Sequence, residues 1–343
     1  MRNALGLMLA SVVTALVITG VWFWTSSPQA AAPPQTVAAR AAEPLPASAA
    51  ARPALKDDVE ITASLTKPAP APASVPAAQP MRSACANPDA LGVSRTVVID
   101  TTGGPGFGFL QYKQFDFLTD KEVVLTFDDG PWPTTPAVLK ALADECTKAL
   151  FFPVGKHTTY HPEILKQVAA AGHTIGSHTW SHAHLDSKKL TEAQAKEEIE
   201  KGFSAVKMAL GTAPAPFFRF PGLAHTQPAL GYLASRNISM FSVDVDSNDF
   251  KSSGPDQVIQ NVMTKLDKQG KGVILMHDLQ KNTAIALPTL LRRLKAGGYK
   301  VVQMKAKEQL ETLAEYDAML VKDQKVPAVA SRPISSVVQT VSQ

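Results

Sequence analysis

From Lys121 onward, short apolar runs of strand length alternate with longer amphipathic runs of helix length. The first apolar run, Glu-Val-Val-Leu at 122–125, is rich in β-branched residues and predicts a short buried strand. Further strands are predicted at residues 150–155, 174–177, 216–220, 238–245, 272–276 and 299–302. Seven or so strands separated by helices within about 190 residues predict a parallel sheet with helical crossovers.

The helices between these strands begin with recognisable signals. Thr135 and Pro136 have the pattern of an N-cap and a first helical position, for a helix that runs to residue 146. Pro162 begins the next helix, which runs to residue 171. Thr191 and Gln194 have the spacing of a capping box at the start of a long charged helix that runs to about residue 210. Further helices are predicted at residues 227–236, 256–268 and 284–295.

Two architectures of parallel strands would fit this alternation. An open doubly wound sheet would have a glycine-rich phosphate loop after its first strand, and none follows residues 122–125. The glycine-rich stretch at 103–108 precedes the strands and has no helix behind it, so it is interpreted as a loop. We therefore predict an α/β fold, a distorted (β/α) barrel of seven to eight units. In such a barrel the reactive groups come from strand ends on one face.

The first 24 residues have the pattern of a membrane segment. Arg2 precedes an apolar run at 4–24 that would span roughly 30 Å as a helix. The run ends in Trp22 and Trp24, which favour a membrane interface. We predict a signal anchor or signal peptide at 1–24. The protein is then exported: either anchored to the cytoplasmic membrane and facing the periplasm or exterior, or secreted if the signal is cleaved.

Residues 25–84 are rich in Ala, Pro and Ser. Eleven of the 26 prolines lie there, with no aromatic residue. Such a segment cannot bury enough apolar area to offset the entropy lost on ordering, so it is predicted to be a disordered linker. Residues 85–120 are predicted to be an N-terminal extension of the folded domain, and 121–305 the domain itself. Residues 306–343 are predicted to be a C-terminal helix and a frayed tail.

Composition narrows the picture further. The chain has 343 residues, 45% of them hydrophobic, which suffices for one sizeable core. The net charge is +4 and no basic run is present, so nucleic acid is not a predicted partner. Cys85 and Cys146 could form one disulfide in an exported protein, the alternative being two unrelated thiols. No zinc-ribbon spacing of cysteines occurs. The oligomeric state is left open.

Acidic residues and histidines follow two of the predicted strands. Asp128 and Asp129 lie between the first strand and a Gly-Pro turn, so both could face one pocket, although a solvated turn is the alternative. Adjacent carboxylates ionise together only where a cation or an arginine compensates one of them. His178 and His182 follow the third strand with a spacing that lets both reach one cation.

One carboxylate completes a set of two histidines and one acid. Such a set leaves positions open for water and substrate, as catalytic metal sites do. We assign Asp129 to the metal and Asp128 to the role of a free base. His184 is a competing ligand and His173 lies upstream, so a histidine-rich loop without a metal is the alternative.

Taken together, these motifs resemble those of the polysaccharide deacetylase family, the NodB homology domain of carbohydrate esterase family four. Thr-Phe-Asp-Asp-Gly-Pro at 126–131 and His-Thr-Trp-Ser-His at 178–182 resemble its first two motifs. Arg-Phe-Pro-Gly at 219–222 resembles the third, Asp-Ser-Asn-Asp-Phe at 246–250 the fourth and Leu-Met-His at 275–277 the fifth. The resemblance extends roughly over residues 121–305.

The resemblance implies a role for each motif residue. Asp128 would be the general base, oriented by Arg219, and His277 the general acid, tuned by Asp249. The implied metal is divalent, with zinc expected and cobalt or nickel as alternatives. The implied metal ligands are Asp129, His178 and His182.

The sequence departs from the family pattern in two places. Gly222 stands where the third motif commonly has a tyrosine or similar residue whose backbone N–H helps to bind an oxyanion. The N–H of Gly222 or of Leu223 is predicted to keep that role. Phe250 replaces the usual tryptophan of the fourth motif, which retains an apolar floor but lacks the indole donor. Leu275 of the fifth motif is assigned to the same substrate-binding set.

The expected function is that of a metal-dependent hydrolase removing acetyl groups from N-acetylhexosamine units of a polysaccharide, either peptidoglycan or a chitin-like glycan. The expected partners are this acetylated polysaccharide and, through the N-terminal helix, a membrane. An O-acetyl esterase acting on xylan or another acetylated polymer would use the same site. A non-catalytic glycan-binding envelope protein is the other alternative. A purely structural metal site would need four ligands, and only three are predicted.

Overall fold

The computed structural model of the protein describes Cys85 and residues 87–325. The predicted signal or anchor at 1–24, the predicted linker at 25–84 and the tail beyond residue 325 lie outside the described residues. None of the helices at 87–325 combines the length and the apolar character that crossing a bilayer requires. Export and membrane attachment stay predictions.

The described residues form ten strands, eight α-helices and two 3₁₀ turns. The strands are β1 (Arg95–Ile99), β2 (Gly106–Phe107), β3 (Glu122–Asp129), β4 (Leu150–Pro153), β5 (Thr174–Ile175), β6 (Phe217–Phe218), β7 (Ser239–Phe241), β8 (Val245–Asp246), β9 (Gly272–His277) and β10 (Lys300–Ala306). The helices are α1 (Thr135–Asp144), α2 (Gly155–Tyr160), α3 (Pro162–Ala170), α4 (Glu192–Leu210), α5 (Gln227–Ser235), α6 (Pro255–Gln269), α7 (Lys281–Ala296) and α8 (Ala314–Lys325). The 3₁₀ turns are Pro221–Leu223 and Asp249–Lys251.

Adjacent strands in the described chain pair in parallel, and β3 has the most partners. β9 pairs along most of β3, β4 pairs with its last four residues and β10 with its first two. The same sheet extends from β4 to β5, from β10 to β1 and from β9 to β8. In a second sheet, β7 lies between β2 and β6.

The two sheets approach each other at two places. A backbone bridge joins Ser177, after β5, to Phe218 in β6. Only residues 242–244 separate β7 from β8. The series therefore runs from β3 through β4, β5, β6, β7, β8 and β9 back to β3. The predicted α/β class with a parallel sheet is confirmed, and this order of strands is consistent with a distorted barrel.

Several elements differ from their predicted bounds. β3 continues beyond residue 125, so Asp128 and Asp129 are its last two pairing residues. The strand predicted at 238–245 is divided into β7 and β8, because its first part pairs with β6 and its last part with β9. The loop interpretation of residues 103–108 is wrong for Gly106–Phe107, which pair with β7. β1 and α2 were not predicted.

Alternate side chains of β3 belong to different apolar clusters. Val123, Leu125 and Phe127 pack into the larger cluster, which also contains side chains of α1 and α7. Val124 packs into a smaller cluster rich in phenylalanine. Side chains repeat with a period of two along a strand, so Asp128 lies on the same side of β3 as Val124. This side is the interior of the series of strands.

Cys85 and Cys146 form the predicted disulfide, with Cα atoms 5.8 Å apart. Cys146 follows α1 and precedes β4, so the bridge lies at the end of the sheets where the strands begin. β1 pairs with β10, and β2 pairs with β7. Strands that precede residue 121 in the sequence therefore belong to the same sheets as strands that follow it. The predicted boundary at 121 stays a prediction. α8 lies within residues 306–343, for which a C-terminal helix and a frayed tail were predicted.

Candidate active site

Three predicted metal ligands meet where β3 ends and β5 leads into a loop. The ligand atoms of Asp129, His178 and His182 all lie within 4.8 Å of one another. The Nε2 atoms of His178 and His182 are 3.6 Å and 3.3 Å from Asp129 Oδ1. Two ligand atoms at about 2.0–2.1 Å from a tetrahedral zinc ion lie about 3.3 Å apart. The observed spacing therefore fits one such ion.

The polar groups of this set also fit a metal. Asp129 Oδ1 is buried and has no hydrogen-bond partner among the described residues, an arrangement that is costly unless a ligand completes it. His178 Nδ1 bonds the Arg219 carbonyl oxygen at 2.7 Å, which leaves Nε2 as the ligand atom. Burial lowers the pKa of His178 to about 3, so the imidazole is in the neutral form that binds metals.

The backbone at the ligands adopts uncommon conformations. Asp129, Thr179 and His182 have φ values of 75°, 66° and 61°, in the left-handed region. Each such non-glycine residue costs about 1–3 kcal/mol, and such residues concentrate at functional sites. The histidine loop is held by neighbouring strands, since His178 N–H donates to the Pro153 carbonyl at 3.0 Å. These three strained residues lie in the segments that aim the ligand side chains.

Asp128 lies beside these ligands without belonging to the set. Its Oδ1 accepts a hydrogen bond from Arg219 Nη1 at 2.7 Å, and its Oδ2 is 3.8 Å from His178 Nε2. Burial raises the pKa of Asp128, and the Arg219 guanidinium partly offsets this rise. A carboxylate that is paired with a cation but made more basic by burial is suited to accept a proton.

Arg219 is fully buried and holds Asp128 in one orientation. Its Nη1 also donates to Thr126 Oγ1 at 2.7 Å, its Nη2 to the Ser242 carbonyl at 3.1 Å and its Nε to the Phe241 carbonyl at 3.3 Å. A guanidinium with this many fixed acceptors has a single geometry. Asp128 Oδ1 is therefore occupied, and Oδ2 remains for chemistry.

His277 ends β9 and pairs in register with Asp128. Its Nδ1 is 2.7 Å from Asp249 Oδ1, while Asp249 Oδ2 accepts the His277 backbone N–H at 2.7 Å and the Thr283 hydroxyl. Burial lowers the pKa of His277, but the hydrogen bond and charge of Asp249 outweigh this effect and raise it to about 9. The imidazole is therefore a proton donor at neutral pH, with Nε2 as its free nitrogen.

These groups line one cleft of about 380 Å³. Phe250 is half exposed at its edge, with its ring centroid 5.7 Å from that of His277. Arg219 and Asp249 contact Asp128 and His277 from outside this lining. The other residues predicted for the substrate-binding set also line the cleft, and these are Gly222, Leu223 and Leu275.

The two predicted oxyanion donors differ in their hydrogen bonding. Leu223 N–H already donates to the Phe220 carbonyl at 2.9 Å. Gly222 N–H has no acceptor within the part of the chain that the structure describes. A backbone N–H that is free at a cleft wall is the kind of donor that an oxyanion needs. Gly222 is therefore the better candidate of the two.

The other two histidines weighed from the sequence do not belong to the ligand set. His184 lines the cleft, and a Cβ added at Gly222 would come 2.5 Å from its Cε1 atom. The imidazole of His184 thus fills the space that a side chain at 222 would need. His173 precedes β5, where its Nδ1 accepts the Ala149 N–H at 3.1 Å. The set that could hold a metal contains neither.

Two further acids lie near the site, and neither was given a role from the sequence, although Asp246 belongs to the fourth motif. Asp246 lines the cleft. Asp278 is buried and accepts the Gly130 N–H at 2.8 Å and the Thr135 hydroxyl at 2.7 Å, which joins the turn after β3 to the end of β9. Burial raises the pKa of Asp278 to about 7. Its place next to His277 in the sequence is the signal that could have found it.

Comparison with known proteins places this arrangement in context. Residues 117–241 match the polysaccharide deacetylase family. The peptidoglycan-N-acetylglucosamine deacetylase PgdA of Listeria monocytogenes is 32% identical over 185 residues, which is 54% of this chain and 38% of that protein. The chitooligosaccharide deacetylase of Bradyrhizobium sp. is 30% identical over 164 residues, which is 48% of this chain and 73% of that protein.

A solved structure shares the fold. The peptidoglycan deacetylase Bd3279 of Bdellovibrio bacteriovorus matches with a TM-score of 0.56 and 35% identity, over 62% of this chain and 59% of that one. The chain spans less than half of the Listeria protein but nearly three quarters of the Bradyrhizobium protein. With the residues of five motifs gathered at one cleft, these matches show that this chain belongs to the polysaccharide deacetylase family.

Proposed function

We propose that this protein is a metal-dependent hydrolase that removes acetyl groups from N-acetylhexosamine units of peptidoglycan or a chitin-like glycan. The observation that carries the proposal is the pairing of Asp128 with the buried Arg219 beside a three-ligand site. The names of the Listeria and Bradyrhizobium relatives, deacetylases of such glycans, support it. The proposal takes the parallel strands as one distorted barrel, whose strand ends share a face.

Asp129, His178 and His182 would hold the divalent ion, with zinc expected and cobalt or nickel as alternatives. Three protein ligands leave a position open, as in catalytic zinc sites. When bound, such an ion polarises an acyl oxygen and lowers the pKa of water from about 15.7 toward about 7.

Asp128 would act on the attacking water, and Gly222 would act on the oxygen of the acyl group. Asp128 Oδ2 accepts the proton of the attacking water, while Arg219 keeps the carboxylate ionised and oriented. General base help of this kind is worth about 10²–10⁴ in rate. Gly222 N–H donates to the oxyanion that forms at the acyl carbon, and one such donor contributes roughly 3–4 kcal/mol.

His277 would protonate the leaving nitrogen, because an amine leaves an amide only as the neutral species. Its Nδ1 is engaged by Asp249, so the proton is delivered from Nε2. The raised pKa of about 9 keeps this proton available at neutral pH. The half-exposed Phe250 supplies an apolar floor beside it.

Metal removal tests the proposed function directly. We expect acetate release from peptidoglycan and from chitooligosaccharides, its loss on chelation and its recovery when zinc or cobalt is added. The release is measured with the full chain, with acetylxylan as a third substrate. A protein that retains stoichiometric metal and binds these glycans without releasing acetate would instead support the non-catalytic alternative.

Replacing His277 separates amide from ester hydrolysis. His277→Ala is expected to lower acetate release from an N-acetyl glycan by about 10²–10⁴, and to lower release from an O-acetyl ester by less than about tenfold. The oxygen of an ester can leave as an alkoxide without first being protonated, whereas the nitrogen of an amide must be protonated before it leaves. Both rates are measured on one preparation with known metal content. Equal losses on the two substrates would contradict the proton-donor role of His277.

A further inference from the structure

A group of aromatic side chains lies beside the metal site, on and around α2. It consists of Trp132, His157, Tyr160 and His161 and is called the aromatic platform below. Trp132 and Tyr160 remain 37% and 63% exposed. Large aromatic side chains that are exposed as a group are typical of binding surfaces, whereas scattered single ones are ordinary.

Neighbouring groups hold the rings of the platform in place. The Trp132 ring centroid is 5.0 Å from that of His157 and 5.2 Å from that of His161. The backbone N–H of Trp132 donates to Thr135 Oγ1 at 2.9 Å. The Tyr160 ring is 6.3 Å from that of His157. Rings that neighbours already hold lose little conformational entropy on binding, so they stabilise a complex at low cost.

Hydrogen bonds connect the platform to both segments that carry metal ligands. His157 Nδ1 bonds the Asp129 carbonyl oxygen at 2.6 Å. The first two N–H groups of α2 donate to the carbonyls of Thr179 and Trp180 at 2.9 and 2.8 Å, between the two histidine ligands. Trp132 follows Asp129 by three residues, so their Cα atoms are at most about 11 Å apart. The platform is therefore at the edge of the catalytic site.

The size of the cleft shows that a polymeric substrate extends beyond it. Its volume of about 380 Å³ is near the lower end of the range for small-molecule sites, about 300–1,000 Å³. A cleft of this size holds the sugar unit that reacts and little more. The neighbouring units of a glycan chain then lie over the surrounding protein surface.

The chemistry of the platform matches a sugar ring. Tryptophan and tyrosine present an apolar face and a polar edge, as does a pyranose with its C–H face and its rim of hydroxyls. α2 has no acidic residue, and Lys156 and His161 offer hydrogen-bond donors around the rings. These features favour a neutral glycan over a cationic or purely apolar ligand.

We propose that the aromatic platform is an outer sugar-binding site, where Trp132 stacks against a unit of the same glycan chain whose acetylated unit lies in the cleft. This inference rests on the proposed function. Binding energy from a remote unit is available only to a chain long enough to reach it. The platform therefore makes the protein select long oligomers over short ones.

The experiment compares N-acetylglucosamine oligomers from dimer to hexamer, using the full chain loaded with zinc. For wild type, kcat/KM is expected to rise with chain length. Trp132→Ala is expected to lower it about five- to tenfold for the hexamer and less than about twofold for the dimer, as the loss of one aromatic contact implies. Trp132→Phe is expected to recover most of the hexamer rate.

Phe115→Ala provides a matched control. Phe115 is 45% exposed and its ring lies 5.7 Å from that of Phe107. Its neighbour Asp116 pairs with Lys271 just before β9, at the opposite end of the strand from His277. Its replacement is expected to leave the dependence on chain length unchanged.

Calorimetric binding of the dimer and the hexamer to the same variants decides the inference independently of turnover. Hexamer affinity that is the same in wild type and Trp132→Ala would overturn it. A Trp132→Ala loss that is equal for dimer and hexamer would also overturn it, since that effect would act through Asp129. If Trp132→Ala weakens hexamer binding but wild type releases no acetate, the sugar-binding role of the platform is supported and the proposed function is wrong.

Discussion

Replacing Asp128 with asparagine is expected to lower acetate release by about 10²–10⁴ while the metal stays bound. Asparagine has the size of aspartate, and its side-chain oxygen still accepts a hydrogen bond from Arg219 Nη1, but it does not take up a proton at neutral pH. The ligand atoms belong to other residues, so the site keeps its metal. The loss then isolates the proton-accepting step from metal binding.

The measurement combines kcat on an acetylated glycan with elemental analysis of zinc on the same samples. Asp129→Asn is the matched control, because it changes the neighbouring carboxylate, which is in the ligand set. That variant is expected to lose metal and activity together. An Asp128→Asn protein that contains zinc and retains activity within about tenfold of wild type would show that another group accepts the proton.

Arg219→Met is expected to lower the free energy of unfolding by about 3–5 kcal/mol, as is typical when one partner of a buried ion pair is removed. Both side chains of the pair are almost completely buried, with an N···O distance of 2.7 Å. Without Arg219 the carboxylate of Asp128 is left uncompensated inside the protein. For a domain of this size, such a loss lowers the melting temperature by about 10 °C.

Thermal unfolding of the double variant Arg219→Met/Asp128→Leu tests the reason for this loss. Removing the second charge is expected to recover part of the stability, because buried apolar pairs are about as stable as the ion pairs that they replace. The double variant stays inactive, since it lacks the base. A single Arg219→Met change that costs less than about 1 kcal/mol would show that the pair is worth no more than one at the surface.

The position of the candidate site could be predicted from the sequence, because its residues lie at strand ends. Parallel strands bring their carboxyl ends to one face, so the acids at the end of β3 and the histidines after β5 were expected to meet. The choice of Gly222 over Leu223 could not be predicted, because it depends on which N–H already has an acceptor. The hydrogen bond between Asp278 and the Gly130 N–H could not be predicted either, because it joins strand ends that are distant in the chain.

The fold was predictable where the apolar pattern was long enough to show a period. β9 and the long α4, with its capping box at Thr191 and Gln194, were predicted close to their bounds. The two-residue β2 and the six-residue α2 contain too few positions for any period to be recognised. The division between β7 and β8 is a tertiary effect, because it follows from their different partner strands.

The disulfide between Cys85 and Cys146 has a practical consequence for assays with insoluble substrates. It fastens Cys85 where the strands begin, whereas the cleft opens where they end. Coupling the protein to a sensor chip or a bead through a tag ahead of Cys85 leaves the cleft on the outward side. An insoluble particle that is too large to diffuse then contacts the side of the immobilised protein on which the cleft opens.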